Sequence, residues 1–235
     1  GDAPTCDDGS TSDLCDYFAY DTPPDTFGIG PWHNINEAWK WRAIFDLDGK
    51  KLVVKDNVLI TIVRYYYGKS PTSDDPSPGI EIKACELLVE GDVDGNGKPG
   101  TILIQSHNDL AGNILIHTVR DAVINGIVRN AVSGTGGRPG KITIASCYGD
   151  IITGNKSRIE TIGQDPGGSD INLLTCIEGD IVINGLVDAS YKGGVAPTIN
   201  IASFNGSVTI DGNNLLYIEA GTQRRVTSGV TVRSR

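Results

Sequence analysis

Methionine is absent from the 235 residues, and histidine occurs only three times. Without methionine the chain does not open on a translation start, so we expect a mature secreted polypeptide whose signal peptide has been removed. Basic residues are in deficit, with 20 Lys and Arg against 29 Asp and Glu and a formal charge of −9. That balance excludes the basic stripe a nucleic-acid partner requires, and it suits solubility and cation binding. No apolar run approaches the ~18 residues of a membrane helix, so no membrane span is expected. Also missing are a phosphate-binding glycine loop, a nucleophile elbow and Cys/His spacing of the zinc-site kind. Aromatic residues make up 6 % of the chain, and few segments have helical periodicity. What the chain has instead is 30 Gly and 11 Pro, punctuating short runs of Ile, Val and Leu. Short apolar runs between turn residues indicate an all-β protein.

The runs repeat. Gly149-Asp150-Ile151-Ile152-Thr153-Gly154 is echoed by Gly179-Asp180-Ile181-Val182-Ile183-Asn184-Gly185 and by Gly206-Ser207-Val208-Thr209-Ile210-Asp211-Gly212, with an earlier copy at Asp121–Gly126. The residues before these strands are 121, 150, 180 and 207, giving steps of 29, 30 and 27. A second series, Ile142-Thr143-Ile144, Ile171-Asn172-Leu173 and Ile199-Asn200-Ile201, steps by 29 and 28 in phase with the first. Two strand phrases locked to one period predict a parallel β-helix, a solenoid whose chain returns to the same place on each rung. Each rung should hold three short strands, as in Ile171–Leu174, Ile181–Ile183 and Leu186–Ala189. Alternation turns Ile, Leu and Val inward and Asn, Thr, Asp and Ser outward. Upstream, Ile102-Leu103-Ile104 is read as the preceding rung. Its step of 40 to Ile142 predicts an insertion, around Ile114–His117 or in Ser133–Gly140. Leu52–Tyr67 reads as strand, interrupted at Asp56-Asn57.

The organisation predicted is an irregular disulfide-containing arm over residues 1–30, an N-terminal cap over 31–50 and a single-stranded parallel β-helix of about five or six rungs over 51–235. All three tryptophans, Trp32, Trp39 and Trp41, lie in the cap, where Ala38, Trp41 and Phe45 fit one face of a short helix. A solenoid needs such a cap over its first rung, because the open end exposes apolar core and strand edge. The alternative for the three rings is a sugar-binding platform. At the other end the last rung closes on Val230-Thr231-Val232, and no polar capping element follows. The tryptophans at one end and Val230 and Val232 at the other are therefore candidate assembly residues.

Five cysteines leave one unpaired. Cys6 and Cys15 are expected to bridge within the arm, which points to an oxidising compartment. Cys147 and Cys176 are one period apart, and Phe204 occupies the next equivalent position. Their spacing lies inside the range a disulfide spans, but with side chains running parallel the column reads more simply as an inward-facing core stack, and Cys85 is assigned to the core as well. Asn155 and Asn205 open two glycosylation sequons, Asn-Lys-Ser and Asn-Gly-Ser, a frequent chance match that is compatible with an extracellular chain.

The copies VINGIV (Val123–Val128) and VINGLV (Val182–Val187), with the Gly-Asp strand starts, resemble the right-handed parallel β-helix superfamily over roughly residues 50–232. Pectate lyases, many autotransporter passengers and other bacterial surface proteins share that fold. The resemblance implies the architecture and leaves the function open. The acid-pair, His-Gly and Arg-Ile-Lys phrases of polygalacturonase-like families are missing, and Arg158-Ile159-Glu160 departs at its third residue. His107 and His117 read as surface histidines. No catalytic residue is assigned.

The sharpest site-like motif is Asp92-Val93-Asp94-Gly95-Asn96-Gly97-Lys98. It resembles the first half of an EF-hand or dockerin calcium loop. Asp92, Asp94 and Asn96 would offer side-chain oxygens and Lys98 a backbone carbonyl, because calcium needs hard oxygens converging from one tight loop. The closing glutamate of such loops falls on Leu103, so Glu90 or a carboxylate of another rung would have to complete the site. The competing reading is an Asp/Asn/Gly turn. Asp121, Asp150 and Asp180 occupy equivalent positions and would stack as like charges. They read either as a cation or catalytic ladder or as turn caps, and Ser207 in the next copy favours caps.

The function expected is structural, without enzymatic activity. The chain would be a secreted or cell-surface subunit of an extracellular filament, sheath or matrix, forming a homo-oligomer or polymer through the solenoid ends and the arm, with calcium as the possible cofactor. The alternative is a carbohydrate-active enzyme, a polysaccharide lyase or glycoside hydrolase, or a carbohydrate-binding module with polysaccharide as its partner. Exposed aromatics with a carboxylate–Arg cluster on the long β face would favour sugar, and a flat Thr/Asn/Ser face would favour stacking.

Overall fold

The structure, a computed structural model, describes residues 12–13, 42–47, 49–65, 79–107, 111–134, 137–163, 169–189, 197–211, 216–217 and 229–234. No helix occurs among the described residues, and none is long and apolar enough to cross a membrane. Strand β1 (Ser12–Asp13) is followed by six turns of three strands each. The first turn holds β2 (Arg42–Asp46), β3 (Leu52–Val54) and β4 (Leu59–Tyr65). The second holds β5 (Gly79–Ala84), β6 (Leu87–Val89) and β7 (Thr101–His107), and the third β8 (Ile114–Thr118), β9 (Ala122–Ile124) and β10 (Ile127–Ser133). The fourth holds β11 (Ile142–Ser146), β12 (Ile151–Thr153) and β13 (Arg158–Ile162), and the fifth β14 (Ile171–Thr175), β15 (Ile181–Ile183) and β16 (Leu186–Asp188). The sixth holds β17 (Thr198–Ser203), β18 (Val208–Ile210) and β19 (Leu216–Tyr217), and β20 (Gly229–Ser234) follows.

Like strands of successive turns pair in parallel, giving three sheets. Sheet I runs β2-β5-β8-β11-β14-β17-β20, sheet II β1-β3-β6-β9-β12-β15-β18, and sheet III β4-β7-β10-β13-β16-β19. The protein is a parallel β-helix, and the three-strand rung read from residues 171–189 is the rung found. Because the register is direct, identical positions stack. In sheet I one inward column is Ile80, Ile114, Ile142, Ile171 and Ile199, and the next is Ile82, Ile116, Ile144, Leu173 and Ile201. All are 0–1 % exposed. Sheet II contributes Leu52, Leu87, Ala122, Ile151 and Ile181 to the same core, and sheet III contributes Ile60, Ile102, Val128, Ile159 and Val187. β-branched side chains stack well on a pleated surface and have little rotamer freedom to lose there.

The phase of the early rungs differs from the sequence reading. Ile102-Leu103-Ile104 lies in sheet III, paired with β4 and β10, so it is not equivalent to Ile142. The partner of Ile142 is Ile114, one ordinary period of 28 earlier, and that of Ile114 is Ile80. No insertion lies at Ile114–His117, which is strand β8 itself. The extra chain is at residues 90–100, between β6 and β7, where the next turn needs only Asn125 and Gly126. The misreading has a simple cause. Inward Ile-x-Ile phrases occur in both sheet I and sheet III, and one long corner shifts one series against the other.

Two further expectations change. Phe45, placed on a helical face, lies in strand β2, so the coil already begins at Arg42, inside the stretch read as a cap. The arm contributes a strand: Ser12 and Asp13 pair with Leu52 and Val53 at the outer edge of sheet II. The interruption of Leu52–Tyr67 is found as read, with residues 55–58 separating β3 from β4 and Asn57 at a φ of 66°. Trp32, Trp39 and Trp41 lie outside the described residues.

Ile144→Ala, at the middle of a fully buried column, should cost about 2–5 kcal/mol in urea unfolding. Thr143→Ala, on the opposite face of the same strand, should cost roughly 0.5 kcal/mol. Equal losses would refute the inward and outward assignment of β11.

Candidate functional site

The corner between sheets I and II carries the Gly-Asp repeat, and each of its residues has a distinct task. Sheet I strands β8, β11, β14 and β17 end on the hydroxyl residues Thr118, Ser146, Thr175 and Ser203, all 0–4 % exposed, with the first three stacked in register. These hydroxyls bind corner backbone. Ser146 Oγ donates to Arg120 O at 2.7 Å and accepts from Gly149 N at 3.0 Å, and Ser203 Oγ donates to Gly179 O at 2.8 Å. Buried backbone groups at the bend are thereby satisfied. At Gly179 the backbone sits at a φ of 132°, and a Cβ would lie 2.1 Å from Gly149 O, so only glycine lets these corners stack.

The aspartates then bridge rungs. Asp121 Oδ1 accepts the amide of Asp150 at 2.9 Å, Asp150 Oδ1 that of Asp180 at 2.8 Å, and Asp180 Oδ1 that of Ser207 at 2.7 Å. The carboxylates stack as expected, and they are caps, although each caps the next rung rather than its own turn. The column is tolerated without a cation because each charge meets an amide dipole. The Ser207 amide and then its hydroxyl, at 3.0 Å, hold the Asp180 carboxyl below its ordinary range. A parallel device sits between sheets III and I, where Asn113 Oδ1 accepts Lys141 N at 2.9 Å and Asp170 Oδ1 accepts Thr198 N at 3.0 Å.

The calcium-like motif occupies the long corner at residues 90–100. Its side-chain oxygens are turned to local amides: Asp92 Oδ2 accepts Gly97 N at 3.0 Å, and Asn96 Oδ1 accepts Lys98 N at 2.9 Å. The Lys98 carbonyl, read as a ligand, accepts Asn57 N at 2.8 Å. The loop folds onto the preceding corner, where Asp94 N donates to Asp56 Oδ2 at 3.1 Å, Asn96 Nδ2 to Asn57 Oδ1 at 2.8 Å, and Asp56 N to Glu90 Oε2 at 3.1 Å. Glu90 is thus drawn to this corner by Asp56, which joins from another rung. Asp56 Oδ1 is buried with no hydrogen-bond partner. Among the described residues, however, no group of three or more His, Cys, Asp or Glu is gathered closely enough to hold a metal ion. Asp92, Asp94, Asn96 and Lys98 share one loop.

The outer face of sheet III holds a cluster that sequence reasoning did not assign. Arg129, Glu160 and Asp188 are in register on β10, β13 and β16. Glu160 is 3 % exposed. Arg129 grips its Oε2 through Nε at 2.6 Å and through a guanidinium nitrogen, and Arg158 Nη1 approaches Oε1 at 3.4 Å. A signal existed: Arg129 and Asp188 directly follow the copies VINGIV and VINGLV, with Glu160 one period after Arg129. On sheet I the outward column is Thr143, Asn172 and Asn200, linked by Asn172 Nδ2 to Thr143 Oγ1 at 3.3 Å and Asn200 Nδ2 to Asn172 Oδ1 at 2.9 Å.

The cysteine column needs correction. Cys147 is half-buried, Cys176 exposed and Phe204 46 % exposed. Each stands just past the buried hydroxyl that ends its strand, so the bend turns it outward, away from the core. Cys85 is buried and disulfide-bonded, whereas Cys147 and Cys176 are free thiols. Cys6 and Cys15 lie outside the described residues. Val230 and Val232 stand in β20, in register with Ile199 and Ile201. Asn155 and Asn205 are both exposed, and Asn205 Nδ2 donates to Ile177 O at 3.1 Å. His107 and His117 are exposed, and His107 Nδ1 lies 2.9 Å from Ser133 Oγ.

Arg129→Ala leaves the buried Glu160 carboxylate with Arg158 as its one remaining cation and should cost about 2 kcal/mol in denaturant unfolding, less than a fully buried pair because Arg129 is partly exposed. Removing both partners, as Arg129→Ala with Glu160→Ala, should cost less than the single change, and a double variant worse than the single would refute the buried pair. For Asp180 the folded pKa is depressed, so its stabilising contribution is full above the ordinary carboxylate value and is lost as pH falls through the folded value. Thermal melts of the protein and of Asp180→Ala should therefore differ at neutral pH and converge in strong acid. A gap that widens on acidification would refute the cap.

Comparison with protein-family models, with curated proteins and with solved structures finds no significant match.

Proposed function

We propose that the chain is a secreted structural protein, a subunit of a self-assembling extracellular filament, sheath or matrix built on a β-solenoid of the right-handed parallel β-helix superfamily. The observation that carries this is the uniformity of the coil. All three sheets are parallel and run through every described turn, and their outermost described strands, β1, β2 and β4 at one end and β18, β19 and β20 at the other, each have one described neighbour. Parallel edges of opposite ends are mutually complementary. One copy stacked on the next continues the ladder in the same direction, and such head-to-tail contacts generate fibres. The disulfide at Cys85 supports an oxidising, extracellular setting. The hydrogen-bonded Thr143–Asn172–Asn200 column supports a flat stacking face.

Calcium belongs to the proposal as a stiffening or bridging ion at Asp92, Asp94 and Asn96 with the Lys98 carbonyl. Asp56 Oδ1 is the adjoining oxygen left without a partner. A second reading, a polysaccharide-binding module or polysaccharide-cleaving enzyme, draws on the Arg129–Glu160–Arg158 cluster with Asp188 in register. Glycoside cleavage needs two convergent carboxylates, and here one of the two is already gripped by arginine.

Negative-stain electron microscopy of the full chain, with calcium and then with a chelator, decides between them. Fibres that dissolve on chelation would support the filament and place the ion at an interface. Fibres indifferent to the chelator would keep the filament and remove the bridge. Isolated short rods in both conditions would sink self-assembly, and a polysaccharide binding and cleavage screen would follow.

A further inference from the structure

Cys147 and Cys176 form a second kind of site at the corner between sheets I and II. Ser146 and Thr175 are paired in register at the ends of β11 and β14, and the pairing does not stop there. The amides of Cys176 and Ile177 donate to the carbonyls of Ser146 and Cys147 at 2.8 and 2.9 Å. One rung earlier the same two bonds recur, from Cys147 N to Thr118 O at 3.0 Å and from Tyr148 N to Val119 O at 2.8 Å. The two cysteines therefore occupy one repeated backbone conformation, so their side chains leave the corner on the same side. Rungs in register lie about 4.8 Å apart, which falls within the roughly 4.4–6.8 Å between Cα atoms that a disulfide spans.

We propose that Cys147 and Cys176 are a modification site, a dithiol that thiol–disulfide exchange converts into a clasp between the fourth and fifth turns. Exposure divides the roles. Cys176 is exposed and Cys147 half-buried, so a small-molecule disulfide meets Cys176 first. Its thiolate attacks one sulfur of the disulfide, forming a mixed disulfide at Cys176 and expelling one thiolate. Cys147, as thiolate, then attacks the Cys176 sulfur, forming the inter-rung bond and expelling the second thiolate. Two protein thiols are oxidised and the small disulfide is reduced to two thiols, the protons lost by the cysteines ending on the two expelled thiolates. Partial burial and then the Cys147 group hold the Cys176 thiol above its ordinary pKa, so the exchange runs faster in mild alkali. The inference rests on the corner geometry and holds whether or not the chain polymerises.

The test incubates the folded full chain with oxidised glutathione in mild alkali and reads intact mass and a peptide map. The expected product has lost two hydrogens, with the Cys147 and Cys176 peptides joined and no glutathione retained. In Cys147→Ser the expected product is a stable single glutathione adduct at Cys176. That variant also guards the result, because a half-buried residue can be lost without unfolding the coil, as circular dichroism would verify. Two glutathione groups on the wild-type chain, one on each cysteine, would overturn the clasp. So would a single adduct that persists at Cys176 with Cys147 present and unmodified.

Discussion

Hydrogen bonds between residues one period apart hold this molecule together. Every described strand except the outermost ones pairs on both sides with strands of the preceding and following turns. A rung has no stable existence alone, because its three short strands cannot bury an apolar face without a neighbour above and below. Direct register follows from the same constraint. A slip of one residue would send Ile142 and Ile144 to solvent and Thr143 to the core. Columns such as Ile82, Ile116, Ile144, Leu173 and Ile201 are the consequence, repeated identities held at one spacing.

The corners are where the coil tolerates variation, and that is where its polar chemistry collects. Strand length is nearly constant along sheets I and II, whereas the link from sheet II to sheet III ranges from Asn125-Gly126 to residues 90–100. A corner must still satisfy its backbone. Buried hydroxyls, stacked glycine and the Asp121–Asp150–Asp180 relay do this between sheets I and II. The acidic column is thus part of the inter-rung bonding, which explains how like charges stack one period apart. The long corner solves the same problem with Asx turns and with contacts to Asp56 and Asn57. In the motif that looks like half a calcium loop, Asp92 and Asn96 accept local amides.

Legibility followed the repeat. Residues 142–210 were readable rung by rung because two series kept a common phase. The earlier rungs were not, since Ile102-Leu103-Ile104 has the same pattern as Ile142-Thr143-Ile144 while facing the core from a different sheet. The cysteine column shows a related limit. Its period was visible and its direction was not, because a bend after Ser146 and Thr175 reverses which side of the chain meets the core. Arg129 and Glu160 were in plain view one period apart, but only burial of the carboxylate distinguishes them from a solvated surface pair.

The sequence by itself determined the all-β class, the period, the three-strand rung and the inward columns. Those follow from local alternation and from spacing along the chain, which are one-dimensional quantities. Only the tertiary structure decided the phase of the first rungs, the outward turn of Cys147 and Cys176, the pairing of Ser12-Asp13 with β3 and the gathering of Asp56, Glu90 and Asn96 at one corner. Each of these depends on the direction a bend takes in space and on which residues it brings within hydrogen-bonding distance. Spacing along the chain does not encode that direction, because corners of different length return the strand to the same ladder.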